Sequence, residues 1–218
     1  MNTNFKVNEI FASIQGEGRY QGFPVIFVRL AGCTRQCSFC DTKYHNKYRK
    51  YTIPQLIKRI KEYPHYSNIN TIVFTGGEPL LQLQQIKQLK KQLPKYYFHL
   101  ETNGDLITTK EDVYDLEKYF TYVCISPKIL PVAKRIYRFL FTPWYDYLKC
   151  DFDIKIVTDL RNVGTRMIPY ATMLMPLTTY NKKRDEKIRK RVWEFCILRN
   201  LYYSARLHVE VWKKKRRV

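Results

Sequence analysis

Residues 71–79 read Thr-Ile-Val-Phe-Thr-Gly-Gly-Glu-Pro, and this stretch indicates the fold class of the chain. The segment from Thr71 to Thr75 consists only of β-branched and aromatic residues, which favours a buried strand that Gly76 and Gly77 end. A helical pattern follows until Pro94, with the apolar residues Leu83, Ile86, Leu89 and Leu93 spaced along one face. A strand followed directly by a helix is the repeating unit of a parallel α/β sheet with right-handed crossovers.

The same alternation continues on both sides of this unit. The sequence predicts further strands at Val25–Leu30, Tyr97–Glu101, Tyr122–Ser126, Asp153–Val157, Met167–Leu177 and Tyr203–Val211. It predicts helices that begin at two capping boxes, Thr52-x-x-Gln55 (running to about Tyr63) and Thr108-x-x-Glu111, and a long helix that buries Ile188, Val192, Phe195 and Cys196. We therefore expect one α/β domain over residues 1–218. The periodicity leaves open whether its sheet closes into a barrel.

The composition is that of a folded protein outside the membrane. Of the 218 residues, 45% are hydrophobic and 15% aromatic, which argues against disorder. No apolar run approaches the roughly 18 residues of a membrane span. Residues Met1 to Glu9 lack the charged-then-apolar order of a signal peptide, so we expect a cytoplasmic protein.

The chain is strongly basic, with 39 Lys and Arg against 19 Asp and Glu, a net charge of +20. Such a positive charge attracts anions of any kind, including nucleic acid, and therefore does not identify a single partner. The charges are densest at Lys182–Arg191, on the predicted long helix, and in a basic tail at about residues 213–218. We interpret both as solvated charge, because no recognised nucleic-acid-binding motif accompanies them.

Three of the six cysteines, Cys33, Cys37 and Cys40, lie within eight residues of each other. Three thiolates leave one position open on a tetrahedral metal or on one corner of an iron–sulfur cubane, where a substrate or cofactor can bind. Iron–sulfur is the leading interpretation; structural zinc with Asp41 or His45 as fourth ligand and a purely structural thiol cluster stay open. Cys124 and Cys196 fit buried apolar positions, whereas Cys150 has no assignment from the pattern.

Four polar segments each come directly after a predicted strand. They are the cysteine segment, Gly76-Gly77-Glu78, Glu101-Thr102-Asn103-Gly104 and Ser126-Pro127-Lys128. Because the C-terminal ends of parallel strands line the active site in α/β folds, we expect all four to face one pocket.

The spacing Cys33-x-x-x-Cys37-x-x-Cys40, with Phe39 before the last cysteine, resembles the motif of radical S-adenosylmethionine (SAM) enzymes. In that superfamily a [4Fe-4S] cluster binds SAM at its open iron and cleaves it to a 5′-deoxyadenosyl radical. Gly76-Gly77-Glu78-Pro79 is similar to the glycine-rich motif that holds the methionine part of SAM. The resemblance therefore implies a [4Fe-4S] cluster and SAM as cofactors.

The N-terminal segments from Glu9 to Gly18, from Gly22 to Cys33 and from Cys40 to Thr42 are similar to the 7-carboxy-7-deazaguanine synthase family. The similarity continues through Thr75–Pro79, Glu101–Gly104, Ser126–Lys128 and Arg199-Asn200 with His208. Membership implies a shortened, partly open (β/α) barrel, a homodimer and dependence on Mg²⁺. It also implies conversion of 6-carboxy-5,6,7,8-tetrahydropterin to 7-carboxy-7-deazaguanine with loss of ammonia, on the route to queuosine and related 7-deazapurines, with electrons from an external donor.

The resemblance assigns a role to each matched position. Cys33, Cys37 and Cys40 would hold the cluster and Thr42 the Mg²⁺. Substrate would contact Ile14, Gln15, Gly16, Glu17, Arg29 and Thr75, with Arg29 on the pterin carboxylate and Gln15 and Glu17 on the amino-pyrimidinone edge. SAM would contact Phe39, Asp41, Gly77, Glu78, Glu101, Ser126 and Lys128.

Three segments in the C-terminal part of the chain depart from the family pattern. Leu174-Met175-Pro176 stands where relatives show Leu-Gln-Pro, and Arg206-Leu207-His208-Val209 where they show Gln-x-His-Lys. The family's C-terminus can close over substrate, whereas here it is the basic tail.

Two other functions fit parts of the pattern. A glycyl-radical or ribonucleotide-reductase activating enzyme shares the cysteine motif but has no use for the segment from Ile14 to Glu17. A basic, zinc-stabilised nucleic-acid-binding module would hold zinc without sulfide, and its affinity would fall steeply with salt.

Overall fold

The computed structural model describes residues 4–37, 40, 46–62, 68–141, 149–213 and 215. The strands within these ranges are β1 (Phe5–Ile14), β2 (Pro24–Leu30), β3 (Arg49–Tyr51), β4 (Thr71–Gly76), β5 (Tyr97–Thr102), β6 (Tyr122–Ile125), β7 (Asp151–Thr158), β8 (Met173–Pro176) and β9 (Tyr202–Tyr203). The helices are α1 (Ile53–Lys61), α2 (Leu83–Gln92), α3 (Lys110–Glu117), α4 (Leu130–Leu140), α5 (Lys182–Arg199) and α6 (Leu207–Trp212). Two short 3-10 helices span Pro79–Gln82 and Thr165–Tyr170.

The described strands form one sheet in the order β3-β1-β2-β4-β5-β6-β7-β8-β9. Neighbours from β2 through β9 are parallel, whereas β1 runs antiparallel to both β2 and β3. The sheet therefore begins and ends at separate edge strands and stays open. This confirms the predicted α/β class and the open form of the barrel.

Alternation along the parallel strands separates the two faces of the sheet. One face carries the fully buried Leu30, Phe74, Leu100 and Ile125, which belong to the same core cluster as the apolar residues of the helices. That core fixes the parallel strands in register, with Arg29 of β2 opposite Thr75 of β4. The other face carries the intervening residues, which are the more polar ones.

The first capping box is confirmed and the second was placed one residue too early. Thr52 caps α1 with Gln55 in the predicted reciprocal arrangement. At α3 the cap is Thr109 with Asp112, not Thr108 with Glu111. Both pairs fit the sequence pattern of a capping box. The structure has the second pair because the shorter Asp112 side chain accepts hydrogen bonds from the backbone amides of Thr108 and Thr109, at 2.7 and 2.9 Å.

Two predicted strands are much shorter than expected. Only Met173–Pro176 of the predicted strand 167–177 pairs as β8, because a 3-10 helix that contains Pro169 occupies residues 165–170. The last strand is only Tyr202–Tyr203, and most of its predicted remainder forms α6. The sequence patterns also missed β1, β3 and α4.

The buried thiols lie where the apolar pattern predicted them. Cys124 and Cys196 are both buried, on β6 and on α5, and Cys150 is buried as well. The long helix α5 buries Ile188, Val192 and Cys196 as expected, and Phe195 is half-buried. None of the helices in the described part of the chain has both the length and the apolar character that crossing a membrane requires.

Candidate active site

The three clustered cysteines and the motifs at the ends of β4, β5 and β6 surround one cavity of about 360 Å³. Cys33, Cys37 and Cys40 are free thiols of intermediate exposure, and all three line it. Gly77, Glu101 and Ser126 line it from the ends of β4 and β5 and from just beyond β6. The prediction that these four segments meet at one rim is confirmed.

Gly76 and Gly77 bring the end of β4 into close contact with the end of β2. A Cβ at Gly76 would lie 2.1 Å from the carbonyl oxygen of Leu30, and one at Gly77 would lie 1.8 Å from that of Gly32. The backbone amide of Gly77 donates to the Leu30 carbonyl at 3.1 Å. These glycines therefore permit a backbone-to-backbone contact that fixes the cysteine segment against β4, while Gly77 still lines the cavity.

Glu78 lies elsewhere than the resemblance implied. Its side chain is buried and absent from the cavity wall. One carboxylate oxygen accepts from the Thr102 hydroxyl at 2.7 Å, and the other accepts from the backbone amide of Asn103 at 2.8 Å. Burial raises the pKa of Glu78, and these hydrogen bonds oppose that rise. Glu78 thus ties the end of β4 to the end of β5 rather than facing a ligand.

The loop after β1 reaches the cavity from the opposite end of the sheet. Because β1 is antiparallel to β2, Ile14 pairs with Pro24 at the start of β2. All four residues predicted to contact substrate from this loop, Ile14, Gln15, Gly16 and Glu17, nevertheless line the cavity. The loop therefore crosses the polar face of the sheet, and Gln15 Nε2 lies 3.5 Å from Glu101 Oε1 of β5.

Lys155 of β7 connects this loop to the rim. Its buried ammonium lies 2.8 Å from Glu17 Oε2 and 3.0 Å from Glu101 Oε2. Arg206 donates from Nε to the other oxygen of Glu17 at 2.9 Å. The Lys155 ammonium thus lies between two carboxylates, and Glu17 is in contact with a second cation as well.

The pKa values of Glu17 and Glu101 are shifted in opposite directions. Burial alone would raise the pKa of Glu17, but the charges of Lys155, Arg206 and His208 lower it well below its ordinary value. For Glu101, burial dominates and raises the pKa despite Lys155, and the negative charge of Glu17 adds to the rise. Burial opposes the ammonium form of Lys155, but the acidic groups around it, Cys124, Glu101 and Glu17, raise its pKa. Glu17 is therefore the firmly ionised member of the pair.

Arg29 and Thr75 also line the cavity, side by side on β2 and β4. Arg29 Nε lies 3.2 Å from the buried carboxylate of Glu9 on β1. A guanidinium in the cavity wall is the side chain whose planar fork of N–H groups matches a carboxylate. At the far rim, Lys128 donates to the Ser126 hydroxyl at 2.9 Å.

Sequence reasoning missed Lys155, Arg206 and Arg35, all of which line the cavity. For Lys155, the signal was a lysine between two isoleucines inside a predicted strand. For Arg206, it was the departure from the family pattern. Arg35 lies between Cys33 and Cys37, and that position was its only signal in the sequence.

Several predicted residues lie outside the described residues. They are Phe39 and Asp41, assigned to SAM, Thr42, assigned to Mg²⁺, and His45, the alternative zinc ligand. In the basic tail, Lys213 and Lys215 are described and line the cavity.

The three cysteines of the cavity fit the ligand set of an iron–sulfur cluster. Among the described residues, no three His, Cys, Asp or Glu side chains converge closely enough to hold one metal ion. A cluster does not require such convergence, since each thiolate binds a different iron. Three free, half-exposed thiols around one cavity provide the ligands of a cluster with an open corner.

Comparison with known proteins gives two kinds of match. A family model described as the Radical SAM superfamily matches residues 27–148. A 7-carboxy-7-deazaguanine synthase of Hyperthermus butylicus is 32% identical over 97% of this chain and 94% of that protein. The synthase of Pyrobaculum aerophilum is 28% identical over 97% of this chain and 96% of its own length.

Two solved structures have a similar fold. QueE from Escherichia coli matches 95% of this chain and 96% of its own, with a TM-score of 0.61 and 20% identity. Streptococcus suis SuiB, solved with bound S-adenosylmethionine, matches 83% of this chain and 46% of its own, with a TM-score of 0.53 and 15% identity. At these identities the likeness concerns the fold alone.

Proposed function

Because this chain belongs to the 7-carboxy-7-deazaguanine synthase family of the radical SAM superfamily, we propose that it converts 6-carboxy-5,6,7,8-tetrahydropterin to 7-carboxy-7-deazaguanine. The enzyme is a carbon–nitrogen lyase of 7-deazapurine biosynthesis. Substrate and product differ by one molecule of ammonia, so the ring contraction involves no net oxidation or reduction. The reaction therefore needs a radical initiator but no stoichiometric oxidant.

The observation that carries this proposal is the shared cavity. The three thiols open into the same space as Arg29 and the loop from Ile14 to Glu17. A radical formed at the cysteine side would thus arise beside a molecule held at the loop side. Because the two are held close together, a carbon radical can abstract a hydrogen atom from the substrate before it reacts with solvent.

The substrate side has the charges that a carboxypterin requires. Arg29 supplies the cation for the carboxylate. Glu17 is ionised and can accept from the amino and ring N–H groups of the pterin edge, because each carboxylate oxygen has a lone pair beyond those used by Lys155 and Arg206. Gln15 offers an amide beside it, while Ile14, Gly16 and Thr75 complete the wall.

The cofactor side follows from the residues at the other strand ends. We propose that Cys33, Cys37 and Cys40 hold the [4Fe-4S] cluster. Gly77, Glu101, Ser126 and Lys128, together with Phe39 and Asp41, would hold SAM, with Glu101 on its ribose hydroxyls. When bound, the pair supplies a carbon radical that can remove a substrate hydrogen. Glu78 positions Thr102 and Asn103, which are part of this wall.

Turnover by the reconstituted enzyme tests the proposal. Anaerobically purified protein should contain iron and sulfide and should convert the carboxytetrahydropterin in the presence of SAM, reductant and Mg²⁺. An Arg29→Gln variant should keep its cluster but raise KM by roughly tenfold to a hundredfold, since a charged hydrogen bond contributes about 1.5–3 kcal/mol. Stoichiometric zinc without sulfide, or SAM cleavage without pterin turnover, would refute the assignment in favour of the nucleic-acid module or the activating enzyme.

We propose Thr42 as the Mg²⁺ ligand on the strength of the family resemblance, since a hydroxyl oxygen suits this hard ion. Thr42→Ala should depress Mg²⁺-dependent turnover and leave the absorption spectrum of the cluster unchanged. Unchanged dependence on Mg²⁺ concentration would contradict the ligand role.

We also propose that the enzyme acts in the cytoplasm as a homodimer supplied by an external one-electron donor, without nucleic acid as its main partner. Light scattering of the purified holoenzyme should give twice the 26.4 kDa chain mass. A monomer across the working concentration range would exclude the dimer.

A further inference from the structure

Arg35 lies within the cysteine segment and is fixed by a carboxylate from another loop. Its Nη2 donates to Oδ1 of Asp105 at 2.7 Å, while the neighbouring Thr34 hydroxyl donates to Oδ2 at the same distance. Arg35 also lines the cavity with Cys33 and Cys37, the two cysteines that flank it. Asp105 thus binds two consecutive side chains of the segment that carries the thiols.

Asp105 is itself held firmly in the loop between β5 and α3. Its backbone amide donates to Oδ1 of Asn103 at 2.9 Å, and Asn103 donates through Nδ2 to the Thr34 hydroxyl at 2.9 Å. From α4, Arg135 donates to the carbonyl oxygens of Gly104 and Asp105, at 3.3 and 3.2 Å. The Asp105 carboxylate is therefore a fixed anchor, and the guanidinium it holds has a fixed place.

One N–H group of the Arg35 guanidinium is of particular interest. Its Nε is buried and has no hydrogen-bond partner among the described residues. A buried donor without an acceptor costs free energy, so an acceptor is expected when the site is complete. The sulfur atoms of a cluster on the flanking cysteines are the acceptors nearest in sequence and share the same cavity wall.

We propose that Arg35, oriented by Asp105, raises the reduction potential of the cluster and so eases its one-electron reduction. The proposal rests on the proposed function, in which Cys33, Cys37 and Cys40 hold the cluster. Reduction adds one negative charge to the cluster, and a fixed cation and N–H donors to sulfur stabilise that charge. Because the guanidinium is partly shielded from water, with 24% of its side chain exposed, the effect is less screened than that of a surface arginine.

The charge pair allows a test with two variants of opposite expected sign. Arg35→Gln removes the cation and should shift the midpoint potential of the cluster to a more negative value. Asp105→Asn removes the opposing anion while the amide still contacts Arg35, and should shift the potential to a more positive value. Arg138→Gln removes the same charge from an exposed position on α4 and should leave the potential unchanged. The readout is an anaerobic redox titration followed by electron paramagnetic resonance, at matched iron and sulfide content.

Each result decides a separate point. Opposite shifts for the first two variants support the electrostatic role. An unchanged potential in Arg35→Gln, or a negative shift in both variants, overturns it and leaves Arg35 as an anchor of the loop. If Arg35→Gln assembles no cluster, Asp105→Asn decides alone, since only a positive shift supports the proposal. Wild-type protein without iron and sulfide would instead refute the proposed function.

Discussion

Arg206 donates from Nε to Oε1 of Glu17 at 2.9 Å, and so joins the segment before the last helix to the loop after the first strand. Further hydrogen bonds lie on either side of this pair. Leu207 donates its backbone amide to the Gly16 carbonyl at 3.0 Å, and Gly18 donates to the Ser204 hydroxyl at 2.8 Å. The C-terminal segment is therefore a wall of the substrate side of the cavity.

Replacing Arg206 by Gln should weaken substrate binding rather than chemistry. Lys155 keeps Glu17 ionised, but Glu17 loses the charged partner that fixes its other oxygen. We expect KM for the pterin to rise by about tenfold with kcat nearly unchanged, equivalent to about 1.4 kcal/mol. Anaerobic steady-state kinetics measures both constants. Arg184→Gln, an exposed charge on α5, is the matched control, and a fall in kcat at constant KM would contradict the prediction.

Lys155→Met should destabilise the fold strongly near neutral pH. The substitution leaves Glu17 and Glu101 facing each other without their shared cation, and removing one partner of a buried ion pair costs about 3–5 kcal/mol. The expected loss shrinks as the pH falls from 7.5 to 5, because the unpaired carboxyl groups take up protons and lose their repulsion.

Urea unfolding of the Lys155→Met protein at the two pH values measures the loss. Lys134→Met, on the exposed side of α4, controls for the loss of one lysine. Adding Glu101→Gln to Lys155→Met should recover part of the stability. An equal loss at both pH values would show that packing, and not charge, is responsible.

His99 should make the protein sensitive to acid between about pH 6.5 and pH 4. Its ring packs against those of Tyr20 and Tyr122, with centroids 4.5 and 5.4 Å away, and burial lowers its pKa to about 4. The unfolded chain takes up this proton below about pH 6.5, but the folded protein takes it up only near pH 4, so acidification favours unfolding. The full difference is about 3 kcal/mol.

The His99→Gln variant isolates this contribution, because glutamine does not titrate. The difference in unfolding free energy between wild type and variant should be constant above pH 7. Between pH 7 and pH 4, wild type should lose about 3 kcal/mol of stability relative to the variant. Denaturant titrations across this range provide the measurement. If the unfolding free energies of the two proteins changed with pH in parallel, the prediction would be wrong.

Gly77→Ala should disturb the cysteine segment, because its Cβ would lie 1.8 Å from the Gly32 carbonyl oxygen. We expect a destabilisation of about 3 kcal/mol and a reduced iron content after reconstitution. Gly22→Ala is the control, since its Cβ meets nothing within 4 Å and only its positive φ of 92° opposes the change. That variant should lose about 1 kcal/mol and keep its iron. Equal iron content in both variants would argue against the contact.

The sequence by itself determined the central parallel strands of the sheet and the rim of the cavity. The apolar patterns of β2, β4, β5 and β6 and the polar segments that follow them are local features, and parallel pairing necessarily brings such strand ends together. Thr52 and Gln55 were predictable for the same reason, since a capping box needs only neighbours three residues apart. The family resemblance then placed Arg29, Gln15 and Glu17 at this cavity.

Only the tertiary structure decided how the charges of the cavity are paired. Lys155 is 138 residues from Glu17 in sequence, and Arg206 is 189 residues from it. Such pairs have no local pattern, because they depend on the register of distant strands and on an antiparallel β1 that sends its loop across the sheet. The last segment became a helix and not a strand for a related reason. A short apolar run fits either structure, and the backbone partners available to it after Tyr203 decide which one forms.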